Sequence, residues 1–327
     1  MGRWNVAPRH PGWDEARELA DVPDFSGLLP SSDIDPASSY NPSWWVGASG
    51  HAFTARRRMT VSDDNGLERR VVRQAVIRGS SPDLFDNSSP RDTPLESLVI
   101  PSAEGFRRTV PVRDMRLFDH VGEPWATFNT GHTQSLRRND IYFGPLDDIS
   151  SKPWRAIIPR RKRIEKNWGF FSFENALYAL YSISPLVIAK VDRFDSARRE
   201  ARLHRVSESK GTHPMLSAAQ SEWGIGSQPI WAGGSLVVSV HEKSYWLGKY
   251  RCYAVRLVEV AFDGARAEIQ RVSPRMVHRV DDLSTRSVGN PLAFGVTYGS
   301  GLGVRNESLL LGYGFADQSF RIVEVGW

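Results

Sequence analysis

The residues with the clearest chemical potential begin as a basic run, Arg160–Arg163, and continue as Glu165-Lys166-Asn167-Trp168. A run of cations suits a phosphorylated or otherwise anionic ligand. Two phenylalanines follow, and Ala176–Ile183 then predicts a β-strand that ends at Ser184-Pro185. A sheet protein that presents Lys166 at the mouth of a pocket needs this order of residues. On these residues alone, a solvated turn before an ordinary hairpin is the alternative.

A second candidate is the carboxyl group of Asp114, which lies in a predicted strand with Arg113 and Arg116. A carboxyl group whose pKa is raised can deliver a proton near neutral pH, so Asp114 is a candidate general acid. If one of these arginines forms a salt bridge with Asp114, the pKa of the carboxyl is lowered instead. Both interpretations are open from the local sequence.

Composition limits the classes of protein to consider. The chain has 327 residues, of which 40% are hydrophobic and 24% charged, as in soluble globular proteins. Its single cysteine, Cys252, excludes an internal disulfide and leaves no Cys/His zinc cluster. Neither an apolar segment of signal-peptide length nor a membrane-spanning run is found, so we predict a cytoplasmic protein without a membrane span.

Several motifs that could hold a metal, a nucleotide or a nucleic acid lack the features these ligands need. His132-Thr133-Gln134, Asp63-Asp64 and Asp281-Asp282 have no partner at a metal-ligand spacing. Gly299–Gly303 lacks a phosphate-binding lysine and predicts a flexible turn. Nucleic-acid binding would depend on Arg160–Arg163 without an interleaved aromatic platform. We therefore expect no metal, no cofactor and no nucleic-acid partner.

Turn signals and short apolar runs recur along the whole chain, which predicts an all-β fold. The clearest strands are Ser235–His241 and Tyr250–Phe262, and helical periodicity is not sustained beyond three turns. Three segments are compatible with helices: a short one near Trp13–Leu19, then Phe194–Glu208 and His213–Trp223. Residues 1–40 are rich in Pro, Ser and Asp and are predicted to be an arm that packs across the domain formed by residues 41–327.

The predicted strands fall into five groups of similar size, which fit a large sandwich or a small β-propeller. In a propeller, the strand starts and inner loops of all blades converge on one axial pocket. A sandwich does not require the same residues to meet. The polar residues that a propeller would bring together are Arg56, Asp114, Lys166, His241 and Asp317.

Four short motifs in this order resemble those of a known enzyme family. They are Arg113–Phe118, Glu165–Phe171 with the strand after it, Gly224–Ile230 with the strand to His241, and Gly312–Asp317. The chain is similar to the five-bladed β-propeller enzymes of glycoside hydrolase family 130, the mannoside phosphorylases and hydrolases, and to the related β-mannosyltransferases. The resemblance extends over about residues 40–327.

The resemblance implies that Asp114 is the single catalytic aspartate, with its proton relayed through a sugar hydroxyl. It also implies that Lys166, with Arg116 or Arg137-Arg138, binds phosphate or a sugar-phosphate leaving group. Trp168 and Tyr313 are sugar-stacking residues or core aromatics. The full set of implied substrate-binding residues is Arg56, Arg116, Lys166, Asn167, Trp168, Gln228, His241, Tyr313 and Asp317.

The sequence departs from the family pattern at three places. Arg113 replaces the usual glutamate, Met115 replaces a proline, and Tyr181-Ser182 replaces the His–Arg pair that phosphorylases commonly carry. These departures bear on phosphorolysis more than on the fold or the sugar pocket.

We therefore expect a carbohydrate-active enzyme that transfers or phosphorolyses a glycosyl unit with inversion, at a β-mannoside. Its partners would be a carbohydrate together with phosphate or a nucleotide-sugar. One alternative is an inverting glycoside hydrolase, for which Glu165 or Glu174 would be the second carboxylate. The other is a non-catalytic glycan-binding propeller in which arginines keep Asp114 ionised.

Overall fold

The computed structural model describes residues 17–19, 39–62, 68–84, 91–92, 97–101, 107–131, 139–162, 164–210, 213–216, 222–246, 250–278, 293–315 and 319–326. These residues form β-strands and turns, with one short 3-10 helix at Pro214–Leu216. The predicted all-β fold is confirmed. No helix in this part of the chain is long and apolar enough to cross a membrane.

The first group of strands is an antiparallel sheet in chain order, followed by a hairpin. The group contains β2 (Ser39–Gly47), β3 (Gly50–Ser62), β4 (Glu68–Gly79) and β5 (Arg91–Asp92), and the hairpin contains β6 (Ser97–Pro101) and β7 (Arg107–Pro111). Before them, β1 (Arg17–Glu18) pairs in parallel with β21 (Met276–Val277), far along the chain.

The second and third groups are antiparallel meanders of four strands each. The second contains β8 (Arg113–His120), β9 (Glu123–Asn129), β10 (Ile141–Pro145) and β11 (Trp154–Ile157). The third contains β12 (Gly169–Phe173), β13 (Ala176–Ile183), β14 (Leu186–Asp195) and β15 (Glu200–Glu208). The last strands of the two groups, β11 and β15, pair in parallel, which leaves the first strands β8 and β12 at the far edges of the combined sheet.

The fourth and fifth groups belong to one ten-stranded sheet, together with β1 and β21. The fourth contains β16 (Glu222–Ile225), β17 (Ile230–Ala232), β18 (Ser235–Trp246), β19 (Tyr250–Phe262) and β20 (Ala267–Val272). The fifth contains β22 (Ala293–Arg305), β23 (Ser308–Phe315) and β24 (Ser319–Val325). The strands β19 and β22 pair in parallel and join the two groups.

The pattern of β13 explains why the groups stack face to face. Successive side chains of a strand point to opposite faces, and both faces of this strand are buried. Leu177 and Ala179 pack in the core cluster shared with the second group, whereas Tyr178 and Leu180 pack in the cluster shared with the fourth. A nearly continuous apolar run is therefore the signature of a strand between two cores.

Five hydrophobic clusters connect the groups in a closed sequence. Four of them lie between successive groups, from the first and second to the fourth and fifth. In the remaining cluster, Trp44 and Phe53 of the first group pack with Leu310 and Phe320 of the fifth. The groups thus pack in a ring that closes between the last and the first.

Several predicted elements match the structure and others do not. The predicted strands Ala176–Ile183 and Tyr250–Phe262 have those bounds. The helix prediction for Phe194–Glu208 is wrong, because the segment ends β14 and forms β15. The helix prediction for His213–Trp223 is also wrong where the structure describes it, since only the 3-10 turn and the start of β16 lie there.

The glycine-rich stretch Gly299–Gly303 is not a flexible turn as predicted but part of β22. A Cβ atom at Gly301 or Gly303 would lie within 2.4 Å of the Trp44 ring. The glycines therefore allow the indole to pack closely across the junction between the fifth and first groups.

Candidate active site

A cavity of about 660 Å³ lies where the first strands of the groups converge. Five of the residues predicted for the site line it: Arg56, Asp114, Lys166, Asn167 and His241. They come from four different groups, so the packing of the groups in a ring, and not sequence proximity, brings them together. The fifth member of the predicted axial set, Asp317, lies outside the described residues.

Three of the lining residues have a left-handed backbone conformation, which is uncommon for residues other than glycine. The φ angles are 55° for Asn41, 50° for Asp114 and 58° for Asn167. Each lies at the start of, or just before, the first strand of its group, and the ladder is irregular near Asn41 and Asp114. Asn and Asp tolerate this conformation better than other side chains. Such backbone strain often occurs where a functional side chain must be directed away from the regular sheet.

The carboxylate of Asp114 is fixed by three donors. Arg56 Nη1 donates to Oδ1 over 2.9 Å, and Asn41 Nδ2 donates to the same oxygen over 3.4 Å. Asn129 Nδ2 donates to Oδ2 over 3.2 Å. With 23% of its side chain exposed, Asp114 is held rigidly but can still be reached from the cavity.

These partners determine the protonation state of the Asp114 carboxyl group. Burial alone raises the pKa of the carboxyl, but the charges of Arg56 and Arg116 and the hydrogen bond from Asn129 outweigh it, so the pKa lies below its usual value. Asp114 is therefore ionised at neutral pH in the unliganded protein. The salt-bridge interpretation of the sequence is correct for this state, although the bonded arginine is Arg56 and neither of the two neighbours considered.

Lys166 is exposed to the cavity, and its charge contributes to the lowered pKa values of both Asp114 and His241. The preceding residue, Glu165, anchors this loop. Its carboxylate accepts hydrogen bonds from Trp168 Nε1 over 3.0 Å and from the Tyr181 hydroxyl over 2.9 Å. The buried Glu165 therefore holds the loop against the third group so that the next side chain, Lys166, points into the cavity.

Arg116 was predicted to contact substrate, but its side chain is buried behind the cavity wall, with 2% exposure. Its guanidinium donates to Asn167 Oδ1 over 3.1 Å and to the Tyr298 hydroxyl. It also approaches the carbonyl oxygen of Ile225 at 3.5 Å. Arg116 thus links cavity residues of the third, fourth and fifth groups of strands through these contacts.

His241 is nine-tenths buried, and its ring lies over Gly224 of the neighbouring strand. A Cβ atom at position 224 would lie 2.3 Å from His241 Nε2, so only glycine allows this placement. Burial, with the charges of Arg116, Lys243 and Lys166, lowers the pKa of His241 to about 3. The imidazole is therefore neutral, and its buried Nδ1 has no hydrogen-bond partner among the described residues.

Besides Arg116, three predicted substrate-binding residues do not line the cavity. Trp168 and Tyr313 are core aromatics, with 3% and 0% exposure, which is the alternative to sugar stacking. Gln228 is also internal: its side-chain oxygen accepts from the Phe170 amide and its nitrogen donates to the Trp168 carbonyl. These contacts give Gln228 a role in joining the third and fourth groups, in place of the predicted contact with sugar.

The two candidates for a second carboxylate differ in position. Glu174 lies in the turn between β12 and β13, is exposed and does not line the cavity. Glu165 lines it, but the indole and the phenol described above occupy its carboxylate. Sequence reasoning missed Glu222, a cavity residue that forms an ion pair with Lys243.

Other lining residues were also missed. They include Asn41, Trp223, Lys243, Tyr253 and Tyr298. The only sequence signal for Asn41 was an Asn-Pro pair at the start of a predicted strand, and the others lie within ordinary strand patterns. Tyr181-Ser182, which replaces the family's His–Arg pair, also lines the cavity. Among the described residues, no cluster of three His, Cys, Asp or Glu side chains could hold a metal ion.

Neither a protein-family profile nor a curated protein sequence matches the chain. Solved structures do. One of them superposes with a TM-score of 0.58 at 12% identity. Its description states that the family 130 mannoside phosphorylases contain glycoside hydrolases that target β-1,2 mannosidic linkages in Candida mannan. The match covers 100% of this chain and 96% of that chain.

Two further structures carry more specific descriptions. A β-1,2-mannobiose phosphorylase from Listeria innocua, in complex with β-1,2-mannobiose, gives a TM-score of 0.56 at 11% identity over 93% of this chain and 96% of that chain. A GDP-Man-dependent mannosyltransferase from Leishmania mexicana gives 0.53 at 11% identity, over 91% and 88%. The chain has the fold that these enzymes share. The resemblance inferred from the motifs is thereby confirmed at the level of the fold, while function must be argued from the site.

Proposed function

We propose that this protein is a carbohydrate-active enzyme that transfers a mannosyl unit with inversion between a phosphate-bearing donor and a sugar acceptor. The same site would run the reverse reaction, phosphorolysis of a β-mannoside. The observation that carries the proposal is the placement of an ionised Asp114, bound to Arg56, in the same cavity as Lys166. The cavity thus offers one proton-accepting group and a cation for a phosphoryl group.

In the transfer direction, a hydroxyl oxygen of the acceptor attacks the anomeric carbon as the bond from that carbon to the phosphoryl oxygen breaks. The acceptor's proton goes to Asp114, directly or through a sugar hydroxyl. Lys166 stabilises the charge that develops on the departing phosphoryl group. In the reverse direction, a phosphate oxygen attacks and a protonated Asp114 donates to the bridging oxygen.

The charge of Asp114 suits this chemistry in both directions. Its lowered pKa keeps the free carboxylate ionised, which is the state required of a base for the acceptor hydroxyl. A bound phosphate or sugar phosphate offsets the charges of Arg56, Arg116 and Lys166. The pKa of Asp114 therefore rises in that complex, which favours the acid step of phosphorolysis.

The sugar is proposed from the proteins that share the fold. One acts on β-1,2-mannobiose as a phosphorylase and another is a GDP-Man-dependent transferase. The neutral His241 and the amide of Asn167 both line the cavity and can bond sugar hydroxyls, which act as both donors and acceptors. A mannosyl unit is the substrate we would test first.

The direct test supplies the purified protein with GDP-mannose or mannose 1-phosphate and a mannose or mannobiose acceptor. We expect a new β-mannoside together with GDP or phosphate, formed at least about 10²-fold more slowly by the D114N variant. The reverse assay supplies β-1,2-mannobiose with and without phosphate. If free mannose forms equally well without phosphate, the transfer proposal is rejected in favour of hydrolysis.

An inverting hydrolase is the second candidate, because Glu222 provides another carboxylate on the cavity wall. Such an enzyme needs a base that activates water on the face of the sugar opposite the leaving group. Glu222→Gln would then abolish hydrolysis. In a transferase the same variant retains turnover with mannose 1-phosphate, so this substitution separates the two candidates.

A glycan-binding protein without catalysis would also keep Asp114 ionised. For that alternative, the D114N protein and the wild type would bind mannobiose equally, and the wild type would turn over none of the donors above. Detection of any Asp114-dependent product excludes it.

We also infer that the groups in the ring are the blades of a five-bladed β-propeller formed by residues 41–327, with residues 1–40 as an arm. Support comes from the five core clusters between consecutive groups and from the buried Leu19 beside β21. The cytoplasmic location stays a prediction from the sequence, and cell fractionation would test it.

A further inference from the structure

Tyr298, on β22, contributes a hydroxyl group to the wall of the cavity. It lines the cavity, and its ring packs 4.8 Å from the ring of His241. Arg116, 182 residues away in the sequence, donates a hydrogen bond to the Tyr298 oxygen. The hydrogen bond from the buried guanidinium therefore holds the phenol in position in the cavity wall.

A phenol has one proton to donate in addition to the lone pairs that accept. The bond from Arg116 uses an acceptor position on Tyr298, which leaves the hydroxyl proton as the available function. Within the described part of the chain, no group accepts that proton. Burial raises the pKa of Tyr298 to about 12, so the proton is retained at neutral pH.

The neighbours of Tyr298 offer mainly donors and positive charge. Arg116 lies behind it, and the charges of Arg116, Lys243 and Lys166 all act on the adjacent His241. The negative charge of Asp114 also acts on Tyr298, and Lys243 is paired with Glu222, but Asp114 is itself bound to Arg56. A sugar hydroxyl needs both donors and acceptors, whereas a phosphoryl group presents only acceptor oxygens and negative charge. The wall around Tyr298 therefore suits a phosphoryl group better than a sugar ring.

Tyr181 also lines the cavity, but it donates its hydroxyl proton to Glu165. The hydroxyl of Tyr298, in contrast, can donate to a ligand in the cavity.

We propose that Tyr298, held by Arg116, donates a hydrogen bond to a phosphoryl oxygen of the donor's leaving group. The inference rests on the proposed function, since it requires that a phosphate-bearing ligand enters this cavity. In this arrangement the phosphoryl group lies against Tyr298, and the reacting sugar lies against Asp114.

The test compares the wild type with Tyr298→Phe, which removes the hydroxyl and keeps the ring against His241. Dissociation constants are measured by calorimetry for inorganic phosphate, mannose 1-phosphate and neutral β-1,2-mannobiose. A hydrogen bond to a charged group contributes about 1.5–3 kcal/mol, so we expect roughly tenfold or greater weakening for both phosphates. Mannobiose affinity should change by less than about twofold.

Tyr178→Phe is the matched control, because Tyr178 is a buried core tyrosine that does not line the cavity. It should leave all three affinities unchanged. Arg116→Lys is a second variant, which keeps the charge and removes the fork that positions Tyr298. It should weaken phosphate binding more than mannobiose binding, and it carries the test if Tyr298→Phe does not fold.

The outcomes separate the inference from the function on which it rests. Unchanged phosphate affinity in Tyr298→Phe overturns the inference, and so does an equal loss for phosphate and mannobiose. If the wild type binds mannobiose but none of phosphate, mannose 1-phosphate and GDP-mannose in the same titrations, the proposed transfer function fails and the inference fails with it. Selective loss of the phosphate ligands supports both.

Discussion

Arg56 Nη1 lies 2.9 Å from Asp114 Oδ1, and this ion pair joins the first and second groups of strands at the cavity. The two side chains are about one-fifth exposed, so the pair is accessible to a ligand but well shielded from bulk solvent. It keeps the carboxylate ionised in the free protein, which makes Asp114 ready to accept a proton rather than to donate one.

The first prediction concerns the pH dependence of transfer. Arg56→Gln removes the charge that most lowers the pKa of Asp114, so that pKa should rise. In the transfer direction the acidic limb of kcat/KM should therefore move to higher pH. The matched control is Arg57→Gln, on the opposite face of the same strand, which should leave the limb in place. An unshifted limb in Arg56→Gln would mean that Asp114 is not the titrating base.

The second prediction concerns Asp114 itself. Asp114→Asn keeps the size of the side chain but cannot accept the acceptor's proton. General acid–base catalysis contributes about 10²- to 10⁴-fold, so turnover should fall by a factor in this range while mannobiose still binds. Rates and affinities are measured on the same preparations. Asp147→Asn, a change at an exposed ion pair away from the cavity, serves as the control and should retain full activity.

The third prediction concerns Gly224. A Cβ atom here would meet the ring of His241, so Gly224→Ala should displace the imidazole and cost about 1–3 kcal/mol of unfolding free energy. KM should rise as well if His241 contacts the sugar. Denaturant melts and initial rates measure both effects. In the His241→Ala background the same glycine change should cost little, because the ring is gone.

Gly144→Ala is the comparison for this experiment. Its added Cβ would meet neighbouring atoms at 3.8 Å, an ordinary contact distance. A loss of stability equal to that of Gly224→Ala would show that contact with His241 is not the cause.

The fourth prediction concerns stability against acid. The pKa of His241 is about 3 in the folded protein and about 6.5 in an unfolded chain, so the unfolded state binds more protons between these values. Stability should therefore fall as the pH drops from 6.5, and by about 2 kcal/mol between pH 6.5 and 5 from this group alone. His241→Asn should remove this part of the decline.

The measurement is a series of denaturant melts from pH 7 to pH 5 for both proteins. Asp114 does not interfere, because its lowered pKa places its own contribution below the ordinary carboxyl range. Parallel declines in the two proteins would contradict the neutral, buried state of His241.

Much of the strand order could be predicted from the sequence because it depends on local patterns. The strands Ala176–Ile183 and Tyr250–Phe262 follow from dense apolar runs bounded by turns or polar residues. The helix prediction at Phe194–Glu208 was wrong because it followed the high charge of the segment. The alternation of apolar and polar residues in its second half is that of a strand. In β15, Ala201 and Leu203 are buried and Arg202 and His204 are exposed, which is the alternation of a strand.

The sequence by itself determined the all-β class and the order of the four motifs, and it identified Asp114 and Lys166 as candidate functional residues. Only the tertiary structure decided which other residues meet them. Asn41 contacts Asp114 from 73 residues away, and Arg116 contacts Tyr298 from 182 residues away. The physical reason is that the ring of strand groups must close before these side chains share a cavity. No local pattern records which strand starts will then face one another.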